Sequence, residues 1–462
     1  MLKVSTNIRT HKINKNNYFL WNKFFPYLLL VNEKLLNLLK NFKLNKRKKL
    51  GKTDIVKRLY KYKILYYGKV ERFEDDFVAT LYKKLYEIDK EAKEFYKYKK
   101  PYSSFAIVND ICNLNCPYCI KKYRNDAQSI LLEEKEKLNL LILLFEQFIN
   151  RKIQHNDLKC DVIFNGGEIL TEWPLIKKFI ETITGKYPHV VIRYHLNTNM
   201  TLMNKEIAKF MSKFNFFTSA SIDGYKSAHN RTRKYYNGKG SFNDVITGII
   251  TYNKFNKKHP INSFQGTIEY PDLFKVEKLL EMSKYGFKSV RLAPNLLNCT
   301  EEDGIEKAKL LIKLLTIEEE KIKFTESIFY NIKKLINQKE YKFYFNCLGL
   351  SGFPKARIGI NISSMRLFQL CSYISKASVP IKLLNYDIYN PILWEASFNF
   401  IKDRVDSIIK NCIDCEIVGI CRGGCILDGL DNENNINKAA CSFRKELWKR
   451  FLMVVYKANF KD

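Results

Sequence analysis

The stretch that decides the fold is Cys112-Asn-Leu-Asn-Cys116-Pro-Tyr-Cys119. Three thiols stand at C-x3-C-x2-C spacing, just after the apolar run Phe105-Ala-Ile-Val108, which reads as a short buried strand. Asn113, Asn115 and Pro117 then favour a loop. A loop can wrap three thiolates around one soft metal centre, whereas a straight strand sends alternate side chains to opposite faces. A [4Fe–4S] cluster usually takes four cysteines, so three leave one iron for an outside ligand. Spacing alone leaves two other readings open: a zinc site completed by a distant residue, and reduced thiols with no metal.

Beyond the loop the chain alternates between strand-like and helical patterns. Apolar runs recur at Phe105–Val108, Asp161–Phe164, Val190–Leu196, Phe216–Ile222, Phe264–Ile268 and Ser289–Leu292, with helical patterns between them such as Leu131–Phe148 and Ile176–Ile183. Such alternation predicts a parallel sheet covered on both faces. Parallel sheets covered by helices place ligands at the C-terminal ends of their strands, and polar motifs fall there. Asn165-Gly166-Gly167-Glu168 follows the second strand; two glycines let the backbone approach a ligand closely. Asn197-Thr198-Asn199 follows the third and Ser221-Ile222-Asp223-Gly224 the fourth. Ser221 and Asp223 share one face by alternation. His229-Asn-Arg-Thr-Arg233 and Gly240-Ser241-Phe242 come next.

With the cysteine loop after the first strand of a βα series, the chain resembles the radical S-adenosylmethionine (SAM) enzymes over roughly residues 100–450. The resemblance implies a partial (β/α)6 TIM-like barrel, an α/β fold. It implies a [4Fe–4S] cluster on Cys112, Cys116 and Cys119 whose free iron is chelated by SAM. In the family the reduced cluster cleaves SAM to a 5′-deoxyadenosyl radical, which abstracts a hydrogen atom from the substrate. It also implies that Gly166, Gly167 and Glu168 hold the SAM amino group, and that Asn199, Ser221 and Asp223 border the ribose. Arg233, or failing it Arg231, would pair with the SAM carboxylate, since a guanidinium fork suits a bidentate carboxylate.

Seven cysteines lie in the last third: Cys347, Cys371, Cys412, Cys415, Cys421, Cys425 and Cys441. The spacing Cys412-x2-Cys415-x5-Cys421-x3-Cys425 resembles the SPASM domain, whose members bind two auxiliary [4Fe–4S] clusters. By residue order, Cys347, Cys371 and Cys425 would hold the first, and Cys412, Cys415, Cys421 and Cys441 the second. The first then lacks a fourth protein ligand, for which Cys299 is a candidate. Cys160 falls in a strand and is expected to be buried. Gly423 and Gly424 allow a tight turn between ligands.

The remaining segments are read from pattern. Residues 1–100 carry strand-like Tyr18–Trp21 and Tyr27–Val31, an amphipathic helix near Glu33–Phe42, a basic loop at Lys43–Lys52, a helix begun by Asp54 and another about Asp75–Tyr96. That element order resembles a small α+β peptide-recognition domain, in which a leader peptide adds as a strand to a sheet edge; a structural cap on the barrel is the alternative. Glu301–Lys342 reads as a helical bridge with Leu310, Leu311, Leu314 and Leu315 on one stripe. Arg444–Tyr456 reads as a closing amphipathic helix. The expected organisation is therefore 1–100, 101–300, 301–345 and 346–462.

Lys and Arg number 79 against 48 Asp and Glu, a formal net charge of +31. A basic face can attract nucleic acid, anionic lipid or an acidic peptide. The lysines are scattered, however, and no basic helix interleaved with aromatics stands out as a nucleic-acid face. The apolar stretch Tyr18–Val31 is broken by Asn22, Lys23 and Pro26, too short to span a bilayer or direct export. Clustered cysteines without an export signal point to a cytoplasmic protein with metal or redox chemistry.

The expectation is an anaerobic radical SAM/SPASM oxidoreductase that matures a ribosomally made precursor peptide (a RiPP), forming a thioether, C–C or other oxidative modification. Its partners would be that peptide and a reductant such as flavodoxin or ferredoxin, with no membrane and no nucleic acid. No residue stands out as general base. One alternative is a sulfatase-type formylglycine maturase. Members of that type carry an Asp after the cysteine corresponding to Cys371, where this chain has Ser372 and Tyr373. The alternative from another class is a zinc-stabilised nucleic-acid-binding protein.

Overall fold

The computed structural model describes residues 2–41, 54–67, 71–119, 132–316, 322–325, 357–369, 377–421, 423–424 and 437–459. The N-terminal region holds β1 (Leu2–Val4), β2 (Ile8–Lys12), β3 (Asn17–Asn22), β4 (Phe25–Asn32), α1 (Glu33–Asn41), α2 (Asp54–Lys61), β5 (Leu65–Tyr67) and α3 (Phe73–Lys97). Strands β2, β3 and β4 form an antiparallel sheet in that order, and β1 pairs with β5. The expected basic loop Lys43–Lys52 lies outside the described residues. Helix α3 buries Phe73, Phe77, Leu81, Leu85, Ile88, Ala92 and Phe95. That spacing of three or four draws one apolar stripe along the helix.

The middle of the chain alternates as its apolar runs predict. It runs β6 (Ser104–Asn109), α4 (Glu134–Gln154), β7 (Lys159–Gly166), α5 (Trp173–Lys186), β8 (Val191–Thr198), α6 (Lys205–Lys213), β9 (Phe217–Ser221), α7 (Lys226–Thr232), α8 (Phe242–Phe255), β10 (Ser263–Ile268), α9 (Val276–Leu280), β11 (Ser289–Pro294), α10 (Glu301–Leu315) and β12 (Lys323–Thr325). Strands β6 to β12 neighbour one another in chain order and pair in parallel. This is the mostly parallel sheet of a partial radical SAM-type barrel. Even-numbered Val162, Phe164, Tyr194, Leu196, Phe264 and Leu292 are buried, with the helices packed over them. The odd-numbered face carries Asn165, His195, Asn197, Ser219 and Gln265, which line a cavity of about 500 Å³.

Two expectations change. The helix expected over Glu301–Lys342 stops at Leu315, and residues 323–325 form a strand parallel to β11. A capping box from Thr300 and Asp303 starts α10, while Ile322-Lys-Phe324 switches to the two-residue alternation of a strand. The sheet also exceeds six strands. The C-terminal region supplies β13 (Arg357–Asn361), β14 (Arg366–Phe368) and β15 (Ser378–Pro380). Strand β13 pairs parallel to β6, and β14 and β15 continue antiparallel, giving ten strands.

Helices α11 (Pro391–Cys412), α12 (Val418–Cys421) and α13 (Lys438–Asn459) complete the C-terminal region. Leu447 and Phe451 of α13 are buried, as its pattern predicts. The N-terminal sheet rests on this region. Trp21 meets Trp448 edge-on at 5.8 Å and its Nε1–H donates to Glu416 O at 3.0 Å. Gly419 N donates to Lys23 O at 2.8 Å. A Cβ at Gly419 would lie 2.2 Å from Phe24 O, so the two backbones touch where a side chain would separate them. Among the described residues, no helix is long and apolar enough to cross a membrane.

Candidate functional site

Strand β6 delivers the cysteine loop to the C-terminal mouth of the sheet. Cys112 and Cys119 are half-buried and Cys116 is buried; none forms a disulfide. Burial pushes the Cys116 thiol up to about 12, against the pull of Arg233 and with Cys112 and Cys119 close enough to add their charge. The loop is laced to the segment after α7 and to the turn after β8. Asn115 N donates to Lys234 O at 2.7 Å, and Leu114 bridges Tyr235. Asn113 Nδ2 donates to Thr201 Oγ1 at 2.8 Å, and its Oδ1 accepts from Asn199 Nδ2 at 2.9 Å.

The Gly166-Gly167-Glu168 turn lies beside the loop's root. Gly167 N donates to Asn109 O and Glu168 N to Ile111 O, both at 2.9 Å. Gly166 has φ +120°, and a Cβ there would fall 2.3 Å from Asn109 O. Only glycine fits this approach. Glu168 turns inward. Its carboxylate accepts from Leu170 N at 3.1 Å, Thr198 Oγ1 at 2.8 and 2.9 Å and Asn199 N at 2.6 Å. Burial raises its pKa against those bonds. Glu168 therefore ties the end of β7 to the end of β8, and the outward-facing groups of this motif are backbone.

Asn199 and Asp223 are likewise committed to the protein. Asn199 Oδ1 accepts from Thr201 N and Oγ1 at 3.0 and 2.7 Å. Asp223 is fully buried. Its Oδ2 accepts from Tyr118 OH and, at 2.7 Å, from Thr232 Oγ1; its Oδ1 accepts from Thr267 N at 2.8 Å. Arg233 Nε lies 3.0 Å from Oδ1 as an ion pair without an aligned hydrogen bond. Burial pushes the Asp223 carboxyl up, but Arg233 and the hydrogen bonds from Tyr118 and Thr267 are among the causes that together outweigh it, and the pKa stays below the ordinary range. The sugar contact expected of Asp223 is thus taken by internal partners, whereas Ser221 remains half-buried at the mouth. Arg231 is exposed, with its guanidinium 5.6 Å from the Tyr270 ring.

The second motif, His229 to Phe242, explains how Arg233 is held. His229 Nδ1 accepts from Asp223 N at 3.3 Å, and its Nε2 faces Ser241 Oγ at 3.0 Å. Ser241 Oγ donates onward to Arg233 O at 2.8 Å. Phe242 N donates to Asn230 Oδ1 at 2.9 Å. The chain of donors requires a neutral imidazole protonated on Nε2. Sequence reasoning missed this brace because it links side chains across a loop without a periodic signal.

Below the mouth, the odd-face cavity carries Asn165, Asn197, Ser219 and Gln265 from four adjacent strands. Asn197 Oδ1 is buried without a hydrogen-bond partner. His195, also on the cavity wall, pairs through Nε2 with Asp161 at 2.8 Å, and Asp161 accepts from Arg193 Nε and Nη2 at 2.8 Å each.

In the C-terminal region Cys412, Cys415, Cys421 and Cys441 line one cavity of about 150 Å³ between α11, α12 and α13. Burial pushes Cys412 up to about 11 and Cys421 up to about 12. Cys347, Cys371 and Cys425 lie outside the described residues. Cys299 sits after β11, its Sγ 3.1 Å from Lys307 Nζ, and Cys160 is buried as expected. Among the described residues, no three His, Cys, Asp or Glu side chains close on a single metal ion. Thiols each bound to a different iron of a cube stand further apart than the ligands of one ion. Both thiol sets, free of disulfides, are the donor chemistry of iron–sulfur clusters.

Residues 106–271 match the radical SAM superfamily. The match takes in the cysteine loop and the strands from β6 to β10, which thus form a radical SAM-type domain. The chain is 30% identical over 179 residues to a cysteine-type anaerobic sulfatase-maturating enzyme of Clostridium novyi (strain NT), covering 38% of this chain and 46% of that one. It thus spans less than half of that relative's length. It is 23% identical over 377 residues to the radical SAM cyclopropyl synthase TigE of Paramaledivibacter caminithermalis, covering 75% and 73%. The solved structure of native anSMEcpe with bound AdoMet and Cp18Cys peptide shares its fold, with TM-score 0.56 at 20% identity over 77% of this chain and 99% of that one.

Proposed function

We propose that the chain is a SPASM-type peptide maturase that oxidatively modifies a ribosomally made precursor. The observation that carries this reading is the four-thiol cavity of Cys412, Cys415, Cys421 and Cys441 in the same body as the three-thiol loop at the mouth of the sheet. Cys112, Cys116 and Cys119 hold the SAM-binding cluster, and the four-thiol cavity holds an auxiliary one. Cys347, Cys371 and Cys425 are assigned to a second auxiliary cluster. When bound, the first cluster and SAM supply a 5′-deoxyadenosyl radical that removes one hydrogen atom from the substrate.

The chain's own residues position that event. The backbone of Gly166 and Gly167 meets the SAM amino group, and Glu168 and Asn199 fix the strand ends behind it. Ser221 borders the ribose. Arg233 stays on Asp223 through Nε, and its Nη groups, which make no hydrogen bond among the described residues, take the SAM carboxylate. The amide-lined cavity below receives the substrate segment, because Asn and Gln side chains match the donor–acceptor pairs of a peptide backbone. The N-terminal sheet recruits the rest of the precursor by strand addition. The peptide in the anSMEcpe structure supports this class of substrate.

Anaerobic reconstitution should yield about twelve irons per chain, for three four-iron clusters, and reductive SAM cleavage that Cys116→Ala abolishes. Mass spectrometry of a neighbouring precursor peptide after co-expression should show a loss of two hydrogens. SAM cleavage by Cys116→Ala would sink the assignment. The kinship with the Clostridium novyi enzyme favours formylglycine formation as a second reading. Ser372 and Tyr373 in place of an Asp oppose it, and an aldehyde product on a sulfatase-type peptide would reverse the order.

A further inference from the structure

We propose that Arg404 and Arg444 set the reduction potential of the cluster assigned above to the four-thiol cavity; the inference rests on that assignment. The two arginines come from different helices, α11 and α13, and both line the cavity. They are 6% and 7% exposed, unusually deep for a guanidinium.

The adjoining loop is shaped around them. Arg404 Nη2 donates to Gly423 O. Gly423 and Gly424 have φ +73° and +71°, and a Cβ at Gly424 would fall 2.0 Å from Arg444 Cζ. One at Gly423 would fall 2.9 Å from Arg404 Nη2. The glycine pair therefore does more than turn the chain between ligands: it leaves room for two cations beside the thiols. Both guanidiniums thus share one cavity wall with the four sulfurs.

Four thiolates on a cube carry net negative charge, and taking up one electron adds to it. Net charge and burial are among the levers that set such potentials. Buried positive charge stabilises the reduced form more than the oxidised one, so it raises the potential. A cluster tuned upward in this way is a better acceptor for an electron leaving an oxidised substrate.

The test is a one-electron redox titration of the reconstituted full-length protein, followed by electron paramagnetic resonance. The relevant signal is the one that Cys415→Ser removes. Arg404→Gln and Arg444→Gln should each shift its midpoint to more negative potential, whereas Arg404→Lys and Arg444→Lys should stay near the wild-type value. Gln variants that titrate at the wild-type potential with full iron content overturn the inference and leave the cluster assignment standing. If neither Gln variant retains the cluster, the arginines serve folding and the inference also fails. A wild-type protein in which Cys415→Ser removes no signal and no iron overturns the assignment itself.

Discussion

His229 is sealed between Asp223 N and Ser241 Oγ, where a second ring proton would point at a backbone N–H. Burial, more than its charged neighbours, pushes its pKa from 6.5 down to about 3. As pH falls, the unfolded chain takes this proton before the folded one does. The contribution is therefore intact above about pH 6.5 and is lost as pH drops toward 3, by at most about 1.4 kcal/mol per pH unit. His229→Gln keeps a polar group in place but cannot titrate. Urea midpoints measured between pH 4.5 and 7.5 should fall less steeply for this variant than for the wild type. Parallel slopes would show that His229 is not the group responsible.

Among the elements, the turn after β7 is the most tightly constrained. A Cβ on Gly166 would meet Asn109 O and N at 2.3 and 2.7 Å, at a φ of +120°. Gly166→Ala should cost about 2 kcal/mol from backbone strain alone, with the clash adding to it. Gly185, near the end of α5, has nothing within 4 Å of its Cβ position. Gly185→Ala should be neutral or slightly stabilising, and equal denaturation midpoints for the two variants would refute the steric account. Elements like these were legible because buried parallel strands and their cover helices leave apolar runs such as Phe105–Val108 and Ser289–Leu292. Thiol spacing likewise marked both cysteine sets. Strand β13 left no such mark: Ile358-Gly-Ile360 is too short to stand out. The commitments of Glu168, Asn199 and Asp223 were equally hidden, since motif order says which residues gather but not which partners they satisfy.

At the scale of the whole molecule, the N-terminal sheet and the four-thiol region are held together by Trp21, Lys23 and Phe24. Lys23 Nζ reaches Asp414 at 3.5 Å as well. Trp21→Ala should cost about 3–5 kcal/mol and speed proteolytic separation of the N-terminal region. Trp21→Phe, which loses only the bond to Glu416 O and some ring area, should cost about 1 kcal/mol. Similar protease resistance for Trp21→Ala and the wild type would show that the contact is dispensable. The sheet itself links distant parts of the chain, because β6 is flanked by β7 on one side and by β13 on the other. During synthesis, one edge of β6 stays unpaired until residues 357–361 have left the ribosome, and bare edges invite aggregation. The root of the cysteine loop, where Asp110 N donates to Ser363 Oγ and Asn361 Nδ2 donates to the Asp110 carboxylate, is therefore completed only after residues 357–363 have been made.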